Sequence, residues 1–161
     1  MSPRISIRLA LVALLAGAAL PVHAQAPNLL LEISASTARR GASGSFLISL
    51  KPPAGSSIVA LQWQLTVGAG VTIDMGDIMA GSAAESGQKS LTCAARDKAY
   101  VCILAGGQKS LPSGTIAVIR YKVGAQAHAG TATVRIEHAV GTSADSKMVE
   151  IGNAEAAITI Q

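Results

Sequence analysis

The chain has 161 residues and a formal net charge of +4, and it is 50% hydrophobic, 14% charged and 2% aromatic. This length allows one domain with a substantial hydrophobic core. Arg4 and Arg8 supply two of the four net positive charges, so the rest of the chain is too weakly basic to predict a nucleic-acid-binding surface.

The first segment, MSPRISIRLALVALLAGAALPVHAQA, has the form of a cleaved secretory signal peptide. Two arginines precede an apolar run, which Pro21 ends short of the roughly 20 residues that a membrane span needs. The motif VHA at 22–24 fits the small-x-small cleavage rule, and AQA at 24–26 offers a second site. We therefore expect removal of the signal peptide 1–24 (or cleavage at 26) and a mature domain over 27–161. This domain would be secreted or periplasmic and would have no membrane span.

Apolar and polar residues alternate with a period of two along the remaining chain, a pattern typical of half-buried β-strands. In ALQWQLTV, the residues Leu61, Trp63 and Leu65 share one side, and Gln62 and Gln64 share the other. Similar segments are LLLEISAS, SFLISLK, VTIDM, AVIRYKV, TATVRIEH and AAITIQ. Breakers such as KPPAGSS and GSAAESGQ separate them. The sequence therefore predicts an all-β protein in which antiparallel sheets pack face to face, with no long helix.

Both cysteines of the chain, Cys93 and Cys102, lie in the segment LTCAARDKAYVC. The segment predicts two strands joined by a turn at 96–98. A two-residue loop there would place the cysteines directly opposite each other at a non-hydrogen-bonded pair. A redox pair would read C-x-x-C, and a closed zinc site needs four ligands. We expect a disulfide, because an exported protein meets an oxidising compartment. Two free core thiols are the alternative.

Residues that could support catalysis or bind a metal do not converge in the sequence. His138 follows Ile136 by two positions and is predicted to face the core, whereas His128 lies in a predicted loop. Asp74 and Asp77, in DMGDI, are expected to cap a turn rather than to bind a metal. We therefore expect no enzymatic activity, no catalytic residue, no cofactor and no metal.

The order of these segments resembles that of a cohesin domain, the receptor module of cellulosomal scaffolds. The resemblance extends from Leu29 to Gln161 and is best in LPSGTIAVIRYKVGAQAHAGTATVRI. Other matching segments, in order, are SASTARRGASGSFLISLK, IVALQWQLTVGAG, VTIDMGDIMAG and SADSKMVEIGNAEAAITIQ. The resemblance implies an immunoglobulin-like jelly-roll sandwich of about nine strands. One of its sheets would contain strands near 58–67, 89–95, 99–105 and 131–138.

The resemblance also implies a binding face, because cohesins bind a dockerin on the outer face of that sheet. The corresponding outward residues of this chain are Gln62, Gln64, Thr66, Thr133, Arg135 and Glu137. The predicted function is a non-catalytic module that binds a dockerin-like protein and attaches polysaccharide-degrading enzymes. The alternative is a carbohydrate-binding module that binds polysaccharide directly, for which only Tyr100 is an aromatic residue free by pattern to face a sugar. The sequence leaves the oligomeric state open.

Overall fold

The computed structural model describes residues 30–161, which form twelve β-strands, one α-helix and one 3-10 helix. The predicted signal peptide lies outside the described residues. The elements in chain order are β1 (Leu30–Ile33), β2 (Ser36–Ala38), β3 (Ser43–Lys51), β4 (Ile58–Val67), β5 (Val71–Thr72), the 3-10 helix (Met75–Asp77), β6 (Ile78–Ala80), α1 (Ser82–Ser86), β7 (Ser90–Arg96), β8 (Ala99–Ala105), β9 (Gly114–Val123), β10 (Gly130–Ser143), β11 (Met148–Glu150) and β12 (Ala154–Ile160).

The strands form two sheets, which confirms the predicted all-β sandwich. The smaller sheet has the order β1-β3-β9-β5, with β6 also paired to β9. The larger sheet has the order β2-β12-β10-β4-β8-β7, with β11 also paired to β10. The predicted grouping of β4, β7, β8 and β10 in one sheet is confirmed. The structure has more than the predicted nine strands because β2, β5, β6 and β11 are pieces of two or three residues. All pairs are antiparallel except β2 with β12.

The core fills the space between the inner faces of the two sheets. Trp63 of β4, Phe46 of β3 and Tyr121 of β9 are each 1% exposed, which confirms the predicted inward direction of all three. The rings of Phe46 and Tyr121 lie 6.0 Å apart, and the Tyr121 hydroxyl shares a 2.7 Å hydrogen bond with the Ser36 hydroxyl. Gly44 packs against this ring so closely that any Cβ would overlap it. The alternation in the sequence is therefore realised as one continuous core.

A β-bulge in β10 changes the direction of one predicted inward residue, His138. Glu137 pairs with Gln64 and Val140 pairs with Gln62, so His138 and Ala139 together oppose the single residue Trp63. His138 takes the left-handed backbone conformation (φ 51°) and is exposed, while Ala139 fills the inward position. The prediction that His138 faces the core is wrong, because the extra residue of the bulge shifts the alternation by one position.

One segment that was predicted to separate two strands as a loop contains a short helix. The segment GSAAESGQ contains α1, whose Ala83 and Ala84 are buried against the core. It is too short to have a periodicity that a sequence pattern could reveal. Within residues 30–161, no helix is long and apolar enough to cross a membrane.

The predicted hairpin and its disulfide are confirmed. The strands β7 and β8 are joined by the two residues Asp97 and Lys98, and Cys93 pairs with Cys102 across them. A disulfide joins the two cysteines, with the Cα atoms 4.1 Å apart, as at a non-hydrogen-bonded pair. Cys102 is fully buried beside Trp63, its partner on β4. The disulfide therefore lies on the core side of the larger sheet.

We predict that the double variant Cys93→Ala/Cys102→Ala keeps the fold but is less stable. Opening a loop of this length should lower the free energy of unfolding by about 2–3 kcal/mol, because the unfolded chain regains entropy. Urea denaturation of the wild type and the variant gives the difference directly. A reducing agent should destabilise the wild type by the same amount and leave the variant unchanged. Two thiols that react with a label in the unfolded, unreduced wild type would contradict the disulfide.

Candidate functional site

The six predicted binding residues all lie on the outer side of the larger sheet. We call the outer side of β10, β4, β8 and β7 the candidate face. Strand pairing places Arg135 beside Thr66, and Glu137 beside Gln64, on adjacent strands. Gln62 follows in the next outward position of β4 and is exposed. Thr133 is also outward but lies beyond the end of β4, where the Gly68 amide donates to its carbonyl (2.8 Å). Five of the six are therefore neighbours, and Thr133 is at the margin.

Two aliphatic residues of β8 occupy the middle of the candidate face. Val101 pairs with Gln64 and Ile103 pairs with Gln62, and both point outward because Cys102 between them points to the core. Ile103 is 45% exposed, which is unusual for an isoleucine in the middle of a sheet. Val101 and Ile103 were not among the predicted binding residues, although the inward direction of Cys102 implies that both neighbours point outward.

The next strand, β7, extends this aliphatic patch with small residues. Ala94 lies opposite Val101, and Thr92 lies opposite Ile103, and both are exposed. The small Thr92 and Ala94 leave the patch open on this side, and the long side chain of Arg96 borders it at the turn end of β7. The result is a flat area of Val101, Ile103 and Ala94, bounded by the hydrogen-bonding side chains of Gln62 and Gln64.

Charge on the candidate face is concentrated at its margins. Arg135 donates from Nε to the Glu155 carboxylate on β12 at 2.8 Å, and the two residues are direct cross-strand partners. This hydrogen bond, and next the attraction of opposite charges, raises the pKa of the Arg135 guanidinium. Both side chains are more than half exposed, so the pair contributes little to stability. The arrangement of an apolar centre with a polar and charged rim is that of protein–protein interfaces.

No aromatic side chain is available on the candidate face. Three of the four aromatic residues of the chain are in the core, as described above. The fourth, Tyr100, was predicted to be free for a sugar, and this prediction is wrong. Its hydroxyl donates to the Ile73 carbonyl at 2.7 Å, and the side chain is half-buried on the core side of β8. The face therefore has no ring on which a pyranose could stack.

An open groove of about 800 Å³ lies at one end of the sandwich, next to Thr133. Its walls are the loop after β4 and the loop between β9 and β10, which are rich in glycine and alanine. The exposed side chain of His128 lies in this second loop, as predicted. The groove has one fixed charge, Arg135, which Glu155 already neutralises.

The remaining candidates for catalysis or metal binding are separated in space. Asp74 precedes the 3-10 helix at its N-cap position, but its side chain makes no capping hydrogen bond and instead accepts a 2.7 Å hydrogen bond from Lys122. In the described part of the chain, no group of three or more His, Cys, Asp or Glu side chains could hold a metal ion. His128 and His138 are both exposed and lie in different parts of the fold.

No protein-family model and no curated protein sequence matches the chain. Solved cohesin structures do match. Coh-OlpA of Clostridium thermocellum, solved in complex with Doc918, has a TM-score of 0.73 at 16% identity, covering 84% of this chain and 100% of that chain. A non-cellulosomal cohesin of the archaeon Archaeoglobus fulgidus has a TM-score of 0.69 at 9% identity, covering 84% and 92%. A type III cohesin from the ScaE scaffoldin of Ruminococcus flavefaciens has a TM-score of 0.69 at 13% identity, covering 83% and 88%. The chain therefore has the cohesin fold, as its sequence segments suggested.

Proposed function

We propose that the chain is an exported, non-catalytic binding module that attaches a protein partner through the candidate face. The observation that carries this proposal is the exposed Ile103–Val101 patch at the centre of the face, within a hydrogen-bonding rim. Burying exposed aliphatic surface against a partner is favourable by about 25 cal/mol per Å². The flat outer side of a rigid sheet offers this surface without reorganisation, which reduces the entropic cost of association.

The proposed partner is a dockerin-like module. Three of the similar cohesins were solved in complexes whose descriptions include a dockerin, from Clostridium thermocellum and Acetivibrio cellulolyticus. The fold alone does not fix a partner. The patch adds support, since a flat apolar centre suits the apolar side of a folded module better than a soluble sugar. On this proposal, the partner would carry a polysaccharide-degrading enzyme, which sequencing of the bound protein would test.

Direct binding of polysaccharide has less support than protein binding. The candidate face offers amide and hydroxyl groups that could bind a sugar by hydrogen bonds. It lacks the exposed rings that give carbohydrate-binding surfaces their apolar contact with pyranose faces, because all four aromatic residues have other roles. Protein binding is therefore the better-supported function of this face.

Export is part of the same proposal. The signal-like segment before residue 27 and the disulfide both favour an oxidising, extracytoplasmic compartment. The mature protein recovered from the periplasm or the medium should begin at residue 25 or 27. Its intact mass, measured without reduction, tests this expectation. A membrane-embedded species that retains Met1 would contradict it.

We predict that Ile103→Asp strongly weakens partner binding and that Leu47→Asp leaves it unchanged. Both are exposed aliphatic residues in the middle of a strand, 45% and 39% exposed, but Leu47 lies on the outer side of the opposite sheet. A charge at the centre of a buried interface should weaken binding by about thirtyfold or more. Calorimetric titration with the dockerin modules encoded in the same genome provides the measurement.

The pair of variants also separates binding from folding. Each places one carboxylate on an exposed strand position, so a general loss of stability should affect both alike, and thermal unfolding checks this. Binding that survives Ile103→Asp but is lost in Leu47→Asp would move the site to the smaller sheet. Binding by no dockerin module, with the wild type folded, would reject the proposed partner class.

A further inference from the structure

The strand β7 forms an edge of the larger sheet that differs from the other edges of the sandwich. It has seven residues, SLTCAAR, with no proline and with no charge before its last residue. The other edge pieces are β1, β2, β5, β6 and β11, and each has four residues or fewer. Proteins usually protect a long edge with charges, proline or bulges, since unpaired backbone groups are a template for another strand. None of these devices interrupts β7.

The register of the hairpin shows which backbone groups of β7 are free. Residues that flank a two-residue turn form a hydrogen-bonded pair, and hydrogen-bonded and non-hydrogen-bonded pairs then alternate. Arg96, Ala94 and Thr92 therefore bond to β8, and Ala95, Cys93 and Leu91 direct their N–H and C=O groups away from it. No other backbone group among residues 30–161 bonds to these three. They form an evenly spaced row of donors and acceptors.

The strand is also held in a fixed position before any partner arrives. The disulfide ties its centre to β8, and the two-residue turn ties one end. At the other end, the buried Lys89 donates to the carbonyls of Gly106 (2.6 Å) and Gly107 (3.1 Å), and burial lowers the pKa of its ammonium. Because β7 is already ordered, pairing with a further strand would cost little conformational entropy.

We propose that β7 pairs antiparallel with β7 of a second copy of this chain, about a two-fold axis at Cys93. This register joins all the free groups: Cys93 faces Cys93 of the other copy, and Leu91 faces Ala95 in both directions. Each of these residues would donate one hydrogen bond and accept one. A two-fold axis at Thr92 or Ala94 would leave part of the row unpaired.

Side-chain size and charge fit a second copy. On the outer side, Thr92 would lie beside Ala94 of the other copy, so small side chains meet at the two close pairs nearest the axis. Ser90 would lie beside Arg96 of the other copy farther out. The turn end of β7 carries the exposed Arg96 and Lys98 with Asp97. At the α1 end the exposed charge is Glu85, since Lys89 is buried and bonded to backbone carbonyls. Antiparallel pairing brings the basic turn end of one copy toward Glu85 of the other and keeps the two turn ends apart. An unrelated extended peptide would not be matched in this way.

The dimer would extend the candidate face rather than cover it. The larger sheets of the two copies would join at β7 to form one continuous sheet. The Ile103 patches of the two copies would then lie on the same side of that sheet. The module would then present two binding surfaces in a fixed relation. This arrangement does not depend on which partner the candidate face binds.

Sedimentation equilibrium of the wild type and three variants tests the pairing. The wild-type mass should rise from one chain to two as protein concentration increases. Ala95→Pro removes a free edge N–H from each copy and no bond to β8, so it should weaken the dimer by about tenfold or more. Thr92→Lys should do the same, because it places two like charges near the axis. Thr131→Lys, at an exposed position of β10 on the same side of the sheet, should dimerise like the wild type.

Amide hydrogen exchange supplies a readout that is specific to the register. On dimerisation, the amides of Leu91, Cys93 and Ala95 should gain protection, whereas those of Thr92 and Ala94 are already bonded to β8 and should change little. An unchanged unfolding midpoint and an intact disulfide in Ala95→Pro would show that the hairpin has kept its structure. A wild type that stays monomeric at every concentration, or a dimer of unchanged strength in Ala95→Pro, would overturn the proposal.

Discussion

The structure depends on the packing of two sheets face to face, because this packing decides the direction of every strand side chain. A strand presents successive residues to opposite sides, so each inward residue forces its neighbours outward. In β4, burial of Leu61, Trp63 and Leu65 places Gln62 and Gln64 on the outer side. The same rule in β8 sends Cys102 and Leu104 inward and exposes Ile103. The candidate face is thus the direct consequence of the core behind it.

The same constraint supports the proposal that this face binds a protein partner. Phe46, Trp63 and Tyr121 are buried in the core. Tyr100 lies at the edge of the core, where its hydroxyl donates a hydrogen bond to the Ile73 carbonyl. Small and aliphatic residues remain for the outer side, with amides and hydroxyls around them. A protein partner can bind such a surface by excluding water over a flat area. Its affinity would come from buried apolar area at the centre and from hydrogen bonds to the polar groups at the rim.

Trp63 lies between two local features of the larger sheet, the bulge of β10 and the disulfide of β8. On one side of it, the bulge of β10 places two residues opposite one. On the other side, the disulfide ties β8 to the edge strand β7. The bulge lets Ala139 fill the core while His138 turns outward. The disulfide fixes the edge strand, which the core covers only in part. The centre of the sheet is therefore well packed, and its edge is ordered by a covalent bond.

Much of this arrangement is predictable from the sequence, because β4, β9 and β10 alternate over many residues and leave one choice of buried side. The disulfide is predictable for a similar reason, since two cysteines equidistant from a two-residue turn must face each other. His138 was not predictable, because a bulge shifts the alternation without a distinctive residue such as glycine. The helix α1 and the short strands are too brief to have a period. The contact of Tyr100 with Ile73 joins distant parts of the chain, which no local pattern shows.

The central claim, that a protein partner binds the outer side of the larger sheet, is tested most directly by cross-saturation NMR. Isotope-labelled protein would be mixed with an unlabelled dockerin module that binds it, and the saturation transferred to each amide would be measured. The account predicts attenuation at Gln62, Gln64, Val101 and Ile103, and none at Leu47 or Val118 on the smaller sheet. Attenuation confined to the smaller sheet, or to the loops around the open groove, would contradict it.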